Sequence, residues 1–461
     1  MHTRPVAALS LLSAALTGSL AFAQPCVPGF QPGEPGASGI TDPFSAYIQP
    51  MKVFQGDLIV GGSFSIAGTA NANAAAAFDL TTQTWSRLGG GISPGNTNSF
   101  VAAIEPFQTP TGYRLYVGGL SSHVLNGSVV VPNTASLAAW DGAVWSAVGT
   151  GWTPSNRGSV WTLLDWEISP GQRRLLAGGG WTSIGGAAAD GVAIYDGSSW
   201  SNVGGMSDAG IAGPFSPVVF ASAVYQNQLY IGGRFATVNN VAAPLIARYT
   251  GSVWQRPGAL AAASTVSDIS ALAVFDSGSG PRLFAGGYDL RVGGQPTSIA
   301  AWNGSVWTRI GQNLGGRCTS LAAYDDGTGM KLYCGLTADA QENYFYRLEG
   351  NTWVSVAGGM SVALTGNFPS VFGLLVHEGS LFVGGNFQLA GTVPSYGIAR
   401  YAPGTSDCIG DVDCDGDDDS DDIVAFFAAW DNGNSTADVD NDGDTDSDDI
   451  LVFFTAWDSG C

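Results

Sequence analysis

The sequence predicts an all-β body built from repeats, followed by a small α-helical unit. A Gly-Gly pair recurs along the body, roughly 50 to 60 residues apart. Each pair precedes an aromatic residue, a tight turn and, in most copies, a Trp, and the C-terminal end carries one acidic pattern twice. The chain is therefore expected to divide into a leader at 1–23, a repeat body at 24–403 and an acidic unit at 404–461.

The leader has the pattern of a secretory signal. Arg4 supplies a positive charge, an apolar stretch follows it, and Ala21-Phe22-Ala23 forms a small-x-small cleavage site before Gln24. No other segment reaches the roughly 18 apolar residues of a membrane helix. We therefore expect a secreted or cell-envelope-associated bacterial protein without a membrane span, in a compartment that permits disulfides.

The Gly-Gly pairs indicate the architecture of the body. A repeat of about 50 residues with Gly-Gly and Trp is typical of a β-propeller, with one blade for each repeat. A degenerate copy, Cys334-Gly335, brings the predicted number of blades to seven. The regular pairs are Gly61-Gly62, Gly118-Gly119, Gly178-Gly179, Gly232-Gly233, Gly286-Gly287 and Gly384-Gly385.

Two hairpins in each repeat predict four strands for each blade. Asp-Gly or Asn-Gly turns separate aromatic strands at 140–145, 195–200 and 302–307, which favours type I′ turns. A second hairpin precedes the Gly-Gly pair, as at 225–231 and 376–382. We expect the Gly-Gly pairs to lie where strands crowd together and leave no space for a Cβ atom.

The ends of the body predict how the ring closes. The seventh repeat stops at Tyr401 without its Trp strand, whereas the N-terminal segment 26–30 has no repeat of its own. We expect that segment to complete the last blade, because closure removes an exposed sheet edge.

The body resembles kelch-type propellers and secreted propellers with a Val-Gly-Gly-x-Phe phrase. The phrase occurs at 60–64, 231–235 and 383–387, with Ile in place of Val in the second copy. This resemblance implies a propeller fold, but propellers host many unrelated activities, so it implies little about function.

The acidic unit contains two twelve-residue loops, at 411–422 and 438–449. Acidic residues occupy loop positions 1, 3, 5, 9 and 12, and Gly416 and Gly443 occupy position 6, which is the pattern of an EF-hand calcium loop. Position 7 contributes a backbone carbonyl. Two Ca²⁺ ions are therefore predicted, with the ligands Asp411, Asp413, Asp415, Asp417, Asp419, Asp422, Asp438, Asp440, Asp442, Asp444, Asp446 and Asp449.

An apolar helical stripe follows each loop. Apolar residues recur at helical spacing over 423–430 and again over 450–457, and both stripes carry the pattern Phe-Phe-x-x-Trp. We expect two loop–helix units that bury these stripes against each other and that require Ca²⁺ for order.

This tandem arrangement resembles the type I dockerin family, in the variant found on secreted bacterial proteins that end in Gly-Cys, as here at Gly460-Cys461. The resemblance implies a cohesin-like or other extracellular protein partner. It also assigns partner contact to loop positions 10 and 11. Position 11 departs from the family pattern because it is Asp. These positions are Ser420, Asp421, Ser447 and Asp448.

Charge is distributed unevenly. The formal net charge is −21, from 38 acidic and 17 basic residues. The chain from 406 onwards has no Lys or Arg, so the acidity belongs to the calcium unit and the body is nearly neutral. Basic residues are not clustered, so nucleic acid is excluded as an expected partner, and we expect a monomer.

The six cysteines allow several pairings. We predict a cross-strand disulfide between Cys318 and Cys334, which flank a hairpin symmetrically about residue 326. Cys408–Cys461 would clasp the acidic unit. The alternative of Cys26–Cys408 with Cys414–Cys461 remains open, because spacing alone does not determine connectivity.

Candidate catalytic residues are sparse. After the leader the only histidines are His123 and His377, too few for a copper oxidase of the kelch type. Four Trp residues outside the regular repeat position could stack on sugars or simply pack. Six Arg residues in the body are ascribed to blade surfaces, with convergence of three of them on the channel as the alternative. These are Trp152, Trp161, Trp166 and Trp181, and Arg174, Arg234, Arg248, Arg282, Arg291 and Arg309.

Two functions remain open from the sequence. The first is a non-catalytic propeller that binds protein or glycan and is tethered through its calcium unit. The second is a polysaccharide-active hydrolase or lyase, because dockerins elsewhere accompany carbohydrases. The sequence contains no repeated acidic motif in the body to support the second function.

Overall fold

The structure, a computed structural model, describes residues 29–31, 35, 38–41, 46–92, 99–152, 158–203, 206–207, 217–337, 343–362, 368–402, 420–431, 437 and 445–459. One compact unit spans Pro28–Pro403, and Gly404–Cys461 belongs to a second. The predicted leader and four cysteines lie outside the described residues, so the leader and the pairings of these cysteines stay predictions. The four are Cys26, Cys408, Cys414 and Cys461.

The body is an all-β propeller whose repeats each contribute four antiparallel strands. Repeat 1 has β3 (Tyr47–Phe54), β4 (Asp57–Ser63), β7 (Ala75–Asp79) and β8 (Thr84–Arg87). Repeat 2 has β9 (Phe100–Thr109), β10 (Gly112–Leu120), β13 (Leu137–Trp140) and β14 (Trp145–Ala147). Repeat 3 has β15 (Ser159–Ser169), β16 (Gln172–Gly180), β19 (Val192–Tyr195) and β20 (Trp200–Asn202). Repeat 4 has β22 (Val218–Tyr225), β23 (Gln228–Arg234), β26 (Ile246–Tyr249) and β27 (Trp254–Gln255).

The remaining repeats follow the same order. Repeat 5 has β29 (Asp268–Asp276), β30 (Pro281–Val292), β31 (Gln295–Trp302) and β32 (Trp307–Arg309). Repeat 6 has β33 (Arg317–Asp325), β34 (Met330–Thr337), β35 (Phe345–Glu349) and β36 (Thr352–Ser355). Repeat 7 has β38 (Ser370–His377), β39 (Ser380–Asn386), β42 (Ile398–Ala402) and β1 (Gly29–Gln31).

The first strand of each repeat lies innermost. Each of these strands contacts the first strand of the next repeat, and β38 of repeat 7 contacts β3 of repeat 1, so the ring is closed. The strand β1 pairs with β42 through Phe30 and Tyr401, as predicted for the N-terminal segment. The last sheet edge is thus covered by a strand from the other end of the body.

The expectation of seven separate blades is wrong. The described strands form six sheets of four or more strands, because one sheet is eight-stranded and holds both repeat 6 and repeat 7. A single backbone pair, Thr337 with Ser370, joins β34 to β38 and merges the two repeats.

Short strands link consecutive repeats. Most repeats carry a small hairpin between their second and third strands, and the chain arriving from the preceding repeat pairs with it, as β21 does with β24. These strands are β2 (Ile40–Thr41), β5 (Ile66–Ala67), β6 (Ala70–Asn71), β11 (Val124–Asn126), β12 (Val129–Val131), β17 (Ser183–Ile184), β18 (Ala187–Ala188), β21 (Met206–Ser207), β24 (Thr237–Val238), β25 (Val241–Ala242), β28 (Ala261–Ala262), β37 (Met360–Ser361), β40 (Leu389–Ala390) and β41 (Val393–Pro394).

The repeated Trp residues form part of the packing between repeats. The indole Nε1 of Trp145 donates a hydrogen bond of 3.1 Å to the carbonyl of Leu88 in the preceding repeat. Trp353 does the same to Ile310 at 3.0 Å. Both indoles are buried, which confirms that the regular Trp position is structural.

The hairpin turns differ from the prediction. In the loop between the paired Trp140 and Trp145, only Gly142 has positive φ, and the Asp141 carboxylate accepts the amides of the two residues that follow Gly142. This is an Asx-type turn and not type I′. Type I′ geometry occurs instead in the inner hairpin of repeat 4, where Gln226 and Asn227 both have positive φ.

The second unit contains α1 (Ser420–Asp431) and α2 (Ser447–Ser459). The Phe426 and Phe453 rings are both fully buried and stack at 4.2 Å with an interplanar angle of 2°. These residues occupy equivalent positions in the two copies, so the apolar stripes face each other as predicted. Neither described helix has the length and apolar character needed to cross a bilayer.

Candidate ligand site at the mouth of the channel

Every innermost strand is irregular at the same level of the propeller. Opposite the Gly-Gly pair, the pairing register shifts and leaves extra residues outside the ladder, which is a β-bulge. Bulges redirect side chains and often occur beside binding sites. From repeat 1 to repeat 7 the bulged residues are Gln49 with Pro50, then Ala102, Trp161, Phe220, Ser270, Thr319 and Phe372.

The Gly-Gly pairs leave space for these bulges in six of the seven repeats. A Cβ atom on Gly233 would overlap the carbonyl oxygen of Val218 on the bulged strand, and a Cβ on Gly232 would overlap Ile269 of the next repeat. The neighbouring repeat can therefore pack against the first glycine, and the second glycine leaves space for the bulged strand. This confirms the expectation that no Cβ atom fits at these positions.

Repeat 6 follows only the first part of this rule, because its second position carries a side chain and its inner strand is still bulged. The residue that packs against the next repeat is Gly335, and the second position is occupied by Leu336, which pairs with Cys318. The pair in this repeat is therefore Gly335-Leu336 and not Cys334-Gly335.

A cavity of about 420 Å³ lies at this level of the channel, and we call it the channel mouth. Six of the bulged residues line it, together with three others. Its lining consists of Tyr47, Gln49, Trp161, Phe220, Ser270, Arg317, Thr319, Thr337 and Phe372.

One side of the channel mouth is aromatic, and we call it the aromatic sector. Tyr47 and Phe372 pair with ring centroids 5.1 Å apart. Trp161 lies between Phe100, at 5.1 Å, and Phe220, at 5.3 Å. The indole Nε1 of Trp161 donates to the Ser159 hydroxyl at 2.9 Å, which fixes the ring's orientation. These five aromatic residues come from repeats 7, 1, 2, 3 and 4, which are consecutive around the ring.

The other side, from repeats 5 and 6, is polar, and we call Ser270, Arg317 and Thr319 the polar sector. Behind it lies Asp268, whose side chain is fully buried. The Asp268 carboxylate accepts a hydrogen bond of 2.7 Å from Ser270 Oγ and pairs with Arg317 Nη2 at 3.1 Å. Burial raises the pKa of Asp268, and the charge of Arg317 opposes this rise.

The four off-register Trp residues do not form a common sugar-stacking surface, which was the alternative to ordinary packing. Of the four off-register Trp residues only Trp161 reaches the channel mouth. Trp166 is buried against Tyr249, and Trp152 packs on Trp181 with centroids 5.5 Å apart. The other three serve the packing between strands, which is the second of the two alternatives that the sequence left open.

Sequence reasoning also missed most of the lining. Arg317 was not among the arginines considered, whereas Arg234, which was, stands over the Phe220 ring at 5.7 Å from its centroid. The sequence did contain a pattern that marks the bulged residues. The bulged residue follows a buried apolar residue near the start of each innermost strand, as in Val160-Trp161, Val219-Phe220 and Val371-Phe372.

The two histidines are not brought together. His377 lies at the end of β38, beside a separate cavity of about 170 Å³ that Glu378 and Arg400 also line. His123 precedes β11 in repeat 2. Within the described residues no group of three or more His, Cys, Asp or Glu side chains gathers around a metal position.

The structure does not show the predicted Cys318–Cys334 disulfide, which stays a prediction. Both side chains are buried, and their sulfur atoms lie 3.1 Å apart. The hairpin is centred beyond residue 326, because Asp325 pairs with Met330. Cys334 therefore lies opposite Leu321 and not opposite Cys318.

Three of the predicted calcium ligands are described. Asp422 and Asp449, at position 12 of the two loops, are buried at the starts of the helices. The Asp446 carboxylate accepts the amide of Asp448 at 2.8 Å, and Asp449 accepts the amide of Asp446 at 2.8 Å, which forms a reciprocal helix cap. The other predicted ligands lie outside the described residues. These are Asp411, Asp413, Asp415, Asp417, Asp419, Asp438, Asp440, Asp442 and Asp444.

The predicted partner-contact residues begin the two helices. Ser420 and Asp421 start α1, and Ser447 and Asp448 start α2. Ser447 and Asp448 are exposed. Their positions are equivalent in the two copies. A buried carboxylate at position 12 of each loop fits a calcium ligand, although the cap alone also accounts for Asp449.

Comparisons with known proteins give a fold-level likeness only. No protein-family model matches the chain, and no curated protein matches it. The resemblances to kelch-type propellers and to dockerins therefore depend on sequence motifs alone.

Solved structures do match the chain. YCF48 bound to D1 peptide has 13% identity and a TM-score of 0.42, with coverage of 83% of this chain and 99% of that one. YCF48 from Cyanidioschyzon merolae has 12% identity and a TM-score of 0.42, covering 79% and 98%. The computationally designed Ika8 protein has 14% identity and a TM-score of 0.40, covering 76% and 84%. Likenesses at this level carry no argument about ligand or activity.

Proposed function

We propose that this chain is an exported, non-catalytic binding protein that holds a glycan at its channel mouth and is anchored to an extracellular protein through a calcium-dependent dockerin-like tail. The observation that carries the proposal is the set of bulged residues. The inner strands repeatedly leave the regular ladder at one level, and the redirected side chains meet around one cavity.

The composition of the channel mouth suits a sugar. Pyranose rings present an apolar face of C–H groups that packs on an aromatic ring, and their hydroxyls need hydrogen-bond partners. The aromatic sector brings Tyr47, Trp161 and Phe220 to the lining of the cavity, where a sugar could contact them. On the opposite side, Ser270 donates its hydroxyl proton to Asp268, and Thr319 donates its own to the carbonyls of Gly335 and Val371. Both hydroxyl oxygens can therefore accept hydrogen bonds from sugar hydroxyls, and small-molecule sites combine apolar walls with a few polar groups in this way.

A hydrolase is less well supported. Glycoside hydrolysis generally uses two carboxyl groups on either side of the scissile bond. Among the described residues at the channel mouth, the one carboxylate is Asp268, and it is buried behind the lining in contact with Ser270 and Arg317. The hydrolase or lyase hypothesis is therefore supported only by the resemblance of the tail to dockerins, which elsewhere accompany carbohydrases.

Binding by the exported protein to an array of plant and bacterial glycans tests the propeller part of the proposal. We expect Trp161→Ala to lower affinity for the bound glycans at least tenfold, because it removes the central ring of the aromatic sector. Tyr113→Ala is the matched control, since Tyr113 is an exposed aromatic residue that does not line the channel mouth. Equal loss in both variants, or no glycan binding at all, would contradict the proposal.

The tail is tested separately with calcium. Circular dichroism of the full chain should lose a helical signal of about the size of α1 and α2 on chelation, while the β signal stays, because metal binding and folding are coupled in such loops. A tail that remains helical without calcium would count against this part. A pull-down from envelope and secreted fractions, with calcium or chelator, then seeks the partner.

A further inference from the structure

We infer that the ligand of the channel mouth carries a carboxylate, as uronic acids do, and that Arg317 binds that carboxylate. This inference rests on the proposed glycan-binding function and adds the chemical class of the sugar. Among the described residues, the one charged residue in the cavity lining is Arg317.

Among the described residues, the charge carried by the lining of the channel mouth is positive. It belongs to Arg317, whose Nη2 pairs with the buried Asp268 at 3.1 Å. A ligand carboxylate would share this guanidinium with Asp268, whereas a cationic ligand would be repelled by Arg317 despite the aromatic walls.

Arg317 is held in a fixed orientation with part of its surface open. Its side chain is 36% exposed, whereas its partner Asp268 is 0% exposed. Its guanidinium also lies over the Tyr288 ring at 5.4 Å from the centroid. The ion pair uses Nη2, and the planar guanidinium has five N–H donors in all, so it can hold one carboxylate from behind and offer other donors to the cavity.

The arrangement around the ring places sugar and acid together. The polar sector lies between Phe220 of repeat 4 and Phe372 of repeat 7. A pyranose in contact with either ring therefore lies next to the two repeats that carry the polar sector, so a carboxylate on that side of the sugar could meet Arg317. Pre-positioning by Asp268 and Tyr288 lowers the ordering cost of a long arginine side chain.

An array of uronate and neutral glycans first identifies the sugar backbone that binds best. Calorimetric titration then tests the inference with the acidic oligosaccharide of that backbone and with its fully methyl-esterified form. Trigalacturonate is used unless the array favours another backbone. The two forms differ in charge while sharing the ring. We expect the carboxylate form to bind roughly ten- to a hundredfold more tightly, since hydrogen bonds to charged groups are among the strongest. This preference should weaken with added salt.

The variants are chosen to separate binding from folding. Arg317→Gln should abolish the preference for the carboxylate form, and Arg317→Lys should retain part of it. The double variant Arg317→Gln with Asp268→Asn removes both charges, so that no buried carboxylate is left without its partner. Arg309→Gln, on the exposed outer strand of repeat 5, is the matched control.

The failure of this inference is distinguishable from failure of the proposed function. Equal binding of acid and ester, or an unchanged preference in Arg317→Gln, overturns the carboxylate assignment. If neutral glycans bind and Trp161→Ala removes that binding, the glycan function stands without it. If no glycan binds the wild-type protein, both proposals fall.

Discussion

Two buried aspartates at opposite ends of the inner strands behave in opposite ways. Asp268 begins the inner strand of repeat 5 at the channel mouth, and Asp326 follows the end of the inner strand of repeat 6. Burial raises the pKa of Asp268. Burial also acts to raise the pKa of Asp326, but hydrogen bonds from Thr328, Tyr333 and Lys331 lower it to about 2.

The difference lies in how each carboxylate is surrounded. Asp326 receives the Tyr333 hydroxyl at 2.7 Å, Arg347 at 3.0 Å and Lys331 at 3.1 Å. This network is structural, since its members belong to one hairpin and the adjoining strand. Asp268 instead shares one arginine with an open cavity. A buried charge whose partner faces a cavity is more indicative of a binding site than a buried charge that is fully coordinated.

The largest contrast is expected on removing each carboxylate. Asp326→Ala should lower the free energy of unfolding by about 3–5 kcal/mol, because it leaves Lys331 and Arg347 without their buried partner. Asp268→Ala should cost about 1 kcal/mol, since the half-exposed Arg317 can be hydrated. Urea unfolding of both variants measures this, and equal losses would remove the distinction between the two sites.

A smaller effect is expected from the glycine that shapes the channel mouth. Gly233→Ala should destabilise the propeller by about 2–3 kcal/mol, since the new Cβ would overlap the Val218 carbonyl and must displace the bulge that holds Phe220. Gly278→Ala, where nothing lies within 4 Å of the added Cβ and only positive φ opposes it, should cost about 1 kcal/mol. Similar losses in thermal unfolding would argue that the bulge is not held by the glycine.

The pH dependence of stability should have opposite signs at the two sites. Asp326 has a folded pKa below its unfolded value, so its contribution is present above about pH 4 and lost as pH falls towards 2, on the order of 1–2 kcal/mol. Asp268 has a raised folded pKa, so its contribution is present at acidic pH and lost as pH rises through that pKa. Unfolding free energies of Asp326→Asn and Asp268→Asn across pH 2 to 7 should therefore diverge from wild type in opposite directions.

The smallest effects concern the single hydroxyl that each carboxylate accepts from a Ser or Thr. Thr328→Val should lower stability by about 1 kcal/mol through loss of its 2.5 Å bond to Asp326. Ser270→Ala should lower stability no more than that, yet it should weaken glycan binding because Ser270 lines the channel mouth. If Thr328→Val weakened glycan binding equally, the site around Asp326 would be coupled to the channel mouth, which would contradict the distinction between them.

The fold was predictable from sequence because its requirements are local. Each repeat has a glycine at the point where a Cβ atom would clash with the bulged strand or with the neighbouring repeat. Gly-Gly pairs such as Gly232-Gly233 therefore indicated both the repeat and the propeller. The missing outer strand of repeat 7 likewise pointed to the N-terminal segment that includes Phe30. The merging of repeats 6 and 7 was not predictable, since it depends on one long-range pair, Thr337 with Ser370.

The channel mouth was not predictable in the same way. Its residues are related by ring position and not by type, so that Trp161, Ser270 and Phe372 occupy equivalent bulges with different chemistry. Which side is aromatic and which is polar emerges only when the ring is closed. The expected register of Cys318 and Cys334 was wrong for a related reason, because the hairpin is centred beyond residue 326 and Cys334 lies opposite Leu321.

A crystal structure of the full chain with its best-binding glycan tests the central claim most directly. The account predicts a sugar ring stacked in the aromatic sector against Trp161 or Phe220, with hydroxyls near Ser270 and Thr319. Sugar bound elsewhere, with the channel mouth holding only water, would contradict the claim that the bulged residues of the inner strands form the ligand site.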